Sequence, residues 1–126
     1  MSWKFYTSTQ IYDAEPHGVR IDGVAIRNKE MTYFSVTEGT VEGGETKKFV
    51  LRIFLPTTKI ACDLERYLSR TLEKLNPKIF EIGSFPVFGP QIYGYPYYVT
   101  RMDYEFPINE RMHIIKRLAE IFGGNV

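Results

Sequence analysis

At Pro56 the hydrophobic period of this chain changes from 2 to 3.6, and that switch constrains its fold more than any other feature. Before it, Phe49, Leu51, Ile53 and Leu55 alternate with Val50, Arg52 and Phe54, the pattern of a strand with one buried face. After it, Ile60, Ala61, Leu64, Tyr67, Leu68, Thr71, Leu72 and Leu75 share one stripe of a helix that Asn76-Pro77 stops. Thr57 or Thr58 can cap the first turn; Asp63 and Glu65 lie early and Arg70 and Lys74 late, as the helix dipole prefers.

The residues before Phe49 also alternate, with turn residues at short intervals. Trp3, Phe5 and Ile11 fall on one face of a first strand. Val19, Ile21, Val24 and Ile26 mark a second, with Gly23 as a bulge position, and Asn28 to Glu30 turns the chain. Thr32, Phe34 and Val36 alternate with Met31, Tyr33 and Ser35, and the glycine-rich VEGGET turns it again. The expectation is a four-stranded antiparallel meander.

After the helix, Ile79 to Ile82 reads as a short strand. Tyr98, Thr100, Met102, Tyr104 and Phe106 then share one face of another, whose second face carries Val99, Arg101, Asp103 and Glu105. A second helix is expected from about Ile108 to Phe122, with Ile108, Met112, Ile115, Ala119 and Phe122 on one side and Gly123-Gly124 closing it. Ile114, Leu118 and Ile121 widen its stripe enough for burial on two sides. The sum is an α+β fold: an antiparallel sheet of five to six strands with two helices packed on it, as one domain over residues 1–126.

Composition limits the partners. Forty-four per cent hydrophobic and 25% charged residues exclude a disordered chain, and a formal charge of +1 provides no long-range attraction for nucleic acid or anionic lipid. Any such binding needs a local patch. The single cysteine, Cys62, rules out an intramolecular disulfide and points to an intracellular, cytoplasmic setting. The N-terminus has no signal-like apolar run, and no window is apolar enough to span a membrane, so no membrane partner is expected. Few Gln and Asn beside many Ile, Tyr, Lys, Arg and Glu is a composition common in thermophiles, archaea and their viruses among them.

The segment Gly83 to Phe106 is where a binding surface is expected. Eight of its 24 residues are Phe or Tyr, and no Lys or Arg precedes Arg101. Glycines and prolines stiffen it, so Phe88, Tyr93, Tyr95, Tyr97 and Tyr98 can offer contact area with little loss of rotamer freedom. Phe85, Phe88 and Ile92 could equally roof a small core. The function this favours is a non-enzymatic, self-associating interaction module, a homodimer or a protein binder, joined through this loop or the broad face of the last helix.

The alternative is a nucleic-acid-binding protein that uses Arg66, Arg70, Lys116 and Arg117 on the two helices as phosphate contacts. A third basic group, Lys47, Lys48 and Arg52, surrounds the fourth strand. Acids interleave all three groups, which favours solvated, salt-bridged faces. Cys62 should face outward, about 150° from the centre of the apolar stripe at 100° per residue, but no base can be placed beside it. His17 and His113 match no metal-ligand spacing, and no phosphate loop or nucleophile elbow is present. No catalytic residue, metal or cofactor is therefore expected.

Overall fold

A computed structural model of the chain describes residues 2–7, 20–39, 48–86 and 98–123. Among the described residues are six strands, β1 (Lys4–Thr7), β2 (Arg20–Arg27), β3 (Glu30–Gly39), β4 (Lys48–Pro56), β5 (Ile79–Pro86) and β6 (Tyr98–Pro107), and two α-helices, α1 (Lys59–Glu73) and α2 (Arg111–Phe122). The strands form one antiparallel sheet in the order β1-β2-β3-β4-β6-β5. The expected α+β architecture and the N-terminal meander are both present. β6 is antiparallel to both β4 and β5, so those two run parallel with β6 between them, and α1 supplies the crossover that such a pair needs.

Both helices cover the same face of the sheet. That face presents Ile21 and Ala25, Phe34 and Val36, the β4 quartet Phe49, Leu51, Ile53 and Leu55, and Met102, Tyr104 and Phe106. Ala61, Leu64, Leu68 and Leu72 of α1 and Ile114, Ile115, Leu118 and Phe122 of α2 close onto it as one core. Phe122 stacks on Phe34 with centroids 5.0 Å apart and meets Phe5 edge-on at the same distance, which ties β1 to the end of α2.

Local chemistry accounts for the turns. Asn28 and Lys29 take positive φ of 53° and 66°, the two-residue hairpin geometry that matches strand twist. The Thr58 hydroxyl accepts from the Ala61 N–H at 3.3 Å and caps α1, whose first turn holds Lys59 and no acid, so the expected early acids lie deeper than the dipole rewards. Gly123, at φ 67°, ends α2 in the left-handed conformation.

Two expectations need correction. Gly23 is no bulge, because it pairs one to one with Thr7 on one side and Phe34 on the other. A Cβ there would sit 2.4 Å from the Tyr6 carbonyl oxygen, so glycine is required by the close approach of β1. The second helix begins at Arg111, after a single 3₁₀ turn, Ile108–Glu110, and its stripe is rotated from the expected one: Ile108 and Met112 are exposed while Ile114 and Leu118 are core. Its breadth is used within the monomer, which removes Ile114 from any surface that could join two copies.

Candidate functional site

One flank of α1, turned towards the β1–β2 corner of the sheet, carries a cluster of charged and aromatic side chains. Asp63, Arg66, Tyr67 and Arg70 stand at i, i+3, i+4 and i+7, one line along α1 beside its apolar stripe. Across from it lies the outer corner of the sheet. Extending the β1–β2 register one step beyond Lys4 and Ile26 sets Trp3 opposite Arg27, on the helix-facing side. These elements enclose a groove of about 330 Å³ lined by Trp3, Arg27, Asp63, Arg66, Tyr67 and Arg70.

The groove is partly preorganised. The Arg27 guanidinium lies 4.7 Å above the centre of the Trp3 ring and donates to Asp63 Oδ2 at 2.6 Å. A carboxylate on one edge and an indole under one face hold that planar cation in place. The other oxygen of Asp63 is 3.7 Å from an Arg66 nitrogen, too long for a hydrogen bond, and the Arg66 side chain is 73% exposed. Among the described residues Arg70 pairs with no carboxylate. Tyr67 stacks on Phe5 at 6.2 Å and stands 6.5 Å from Trp3, so two aromatic rings form one wall. Three guanidiniums against one carboxylate leave two positive charges here, in a chain whose formal charge is +1.

Several cations elsewhere are paired with acids. On the sheet face away from the helices, Lys48 meets Glu105 at 3.4 Å, Arg52 and Arg101 meet Asp103 at 3.7 and 3.1 Å, and Arg20 donates to Asp22 at 2.7 Å. Asp22 also accepts from the Ser35 hydroxyl at 2.6 Å. On α2, Arg117 pairs with Glu120, and Arg111 donates two bonds to Glu38 of β3, at 3.1 and 2.7 Å, beneath the Phe49 ring. The interleaved acids predicted such pairing, although the partners of β4 come from β6 and not from neighbours in sequence.

Of the residues singled out for nucleic acid, the structure brings Arg66 and Arg70 into the groove, while Lys116 and Arg117 are exposed on α2 and do not line it. Arg27, Trp3 and Tyr67 are additions. The i, i+3, i+4, i+7 line on α1 could have flagged Tyr67, but Trp3 and Arg27 meet only through strand pairing. Phe88, Tyr93, Tyr95 and Tyr97 lie outside the described residues, and so does the side chain of Tyr98, whose backbone opens β6 opposite Pro86. His17 also lies outside them; Cys62 is exposed, as expected, and His113 is exposed on α2. Among the described residues no three His, Cys, Asp or Glu side chains gather as a metal site, and no helix is long and apolar enough to cross a membrane.

One buried group is strongly perturbed. Burial pushes the Tyr104 phenol up to about 12, partly opposed by the Ser69 hydroxyl nearby and reinforced by the negative charges of Glu73 and Glu65. It lies under the inner face of α1, away from the groove. In comparison with known proteins, no family model matches the chain, and no curated protein or solved structure does so either.

Proposed function

We propose that this chain binds single-stranded nucleic acid, with one nucleotide seated in the groove between α1 and the β1–β2 corner. The observation that carries this reading is the meeting of three arginines with Trp3 and Tyr67 around a single acid. Guanidiniums suit phosphate oxygens and aromatic rings suit the faces of unpaired bases, and the two together are the chemistry of single-strand recognition. Arg66 and Arg70 are one helical turn apart, about 6 Å between their β-carbons, a separation that suits successive phosphates of one strand. The unpaired Cys62 fits an intracellular setting for such a protein.

Trp3 is the only tryptophan in the chain, so its fluorescence reports on the groove directly. Titration with oligothymidylate or oligouridylate should quench it, and each arginine–phosphate contact should contribute about 0.7 to the slope of log affinity against log salt. Unchanged fluorescence together with no binding by an independent method such as filter retention would remove the reading. A second reading, self-association through Phe88, Tyr93, Tyr95, Tyr97 and Tyr98, draws on the density of rings in that segment. A dimer in native mass spectrometry that is lost on Tyr95→Ser with Tyr97→Ser would favour it.

A further inference from the structure

Among the described strands β1 is an outer one, four residues long, and its side chains point alternately to the two sides. Trp3 and Phe5 turn towards the helices and the groove; Lys4 and Tyr6 turn to the opposite face. Tyr6 is 57% exposed, the highest value among the large apolar side chains of the described residues. Directly inboard of it, Val24 and then Tyr33 continue the same row across β2 and β3. The strand carries Lys4 and no acid. Tyr6 stands on the side of the sheet opposite the core and is not part of it.

Resting on the reading of the groove as a nucleotide site, we infer that the bound strand does not end there but crosses the β1 edge, stacking a second base on Tyr6 with Lys4 beside its phosphate. The occupant is the same single-stranded nucleic acid. Two observations select it: continuity, because Trp3 in the groove and Tyr6 on the far face stand three residues apart on one strand, about 10 Å along it, and charge, because both sides of that edge present cations. A ring with an open face accepts any base, so the extension lengthens the site without adding sequence preference.

The test is affinity against oligonucleotide length, read by Trp3 fluorescence with oligothymidylates of two, four, six and eight nucleotides. Wild-type affinity should rise with length and then level off. Tyr6→Ala should lower affinity for the eight-nucleotide strand by about tenfold while leaving the two-nucleotide ligand unchanged, and Tyr6→Phe should restore the wild-type curve because the ring is retained. Far-ultraviolet circular dichroism and the urea midpoint check that Tyr6→Ala is folded. If Tyr6→Ala binds every length as wild type does while Arg66→Ala with Arg70→Ala weakens all of them, the extension is overturned and the groove reading stands. If the wild-type protein binds no oligonucleotide, the groove reading fails and the extension with it.

Discussion

The two helices pack on the same sheet face with four core residues each, yet they treat their arginines in opposite ways. On α2, Arg111 is 17% exposed and locked to Glu38 by two hydrogen bonds, and Arg117 closes onto Glu120. On α1, Arg66 and Arg70 project into a groove that holds one acid, and Arg27 of β2 takes most of that acid's attention. The difference separates charge used to fix a helix from charge left to meet a ligand. Composition cannot reveal it, because Arg111 and Arg70 look alike in sequence.

Four experiments test this contrast. Leu68→Ala on α1 and Leu118→Ala on α2 should each destabilise the fold by about 3 kcal/mol, seen as equal falls in urea midpoint, since both side chains are fully buried. A large inequality would mean that the helices are not equivalent in the core. Arg111→Ala should cost about 2 kcal/mol by leaving Glu38 largely desolvated without its partner, with no change in the affinity of the groove. A loss of binding on a folded Arg111→Ala protein would erase the distinction between the helices.

A pH experiment probes the inner side of α1. The folded state holds the proton of Tyr104 up to about pH 12, whereas an unfolded tyrosine releases it near 10. The folded state therefore binds more protons between those values. The contribution of Tyr104 is fully present below about pH 10 and is lost as pH rises towards 12. Tyr104→Phe should flatten the alkaline part of the stability curve; an unaltered alkaline limb would show that another group controls it.

The smallest effect on stability, and the most informative for function, belongs to the outward cations. Arg66→Ala with Arg70→Ala should change unfolding free energy by no more than about 0.5 kcal/mol while weakening oligonucleotide binding and flattening its salt dependence. Lys116→Ala with Arg117→Ala should alter neither. Equal losses of binding from both pairs would restore the broader basic surface that the sequence alone suggested.

Most of the elements were legible in the chain because their signals are local. The β4 alternation, the α1 stripe with its Thr58 cap and the Gly123 terminus each depend on residues within a few positions of one another. The misreadings came where distant chain intervened. Gly23 looked like a bulge because its reason, the Tyr6 carbonyl, is 17 residues away in sequence. The last helix showed apolar residues around much of its circumference, and only docking against Phe34 and Phe5 decided that Phe122 and Ile114, not Met112, would be covered.

The candidate site divides along the same line. Arg66 and Arg70 could be picked out as cations on one helix, but Arg27 reads as an ordinary strand end and Trp3 as core, and the stacking of Arg27 on Trp3 and its bond to Asp63 depend on register between β1, β2 and α1. Period and turn chemistry, which act over one or two turns of chain, determined by themselves that this protein is an α+β domain with a strand meander and two amphipathic helices. The position of β6 between β4 and β5, the arginines that acids take up, and the lining of one groove by three arginines and a tryptophan were settled by the packing of the whole chain. Those outcomes depend on contacts between residues tens of positions apart, where hydrophobic burial fixes which faces meet and the charged groups at the rim pair with whatever that packing brings within reach.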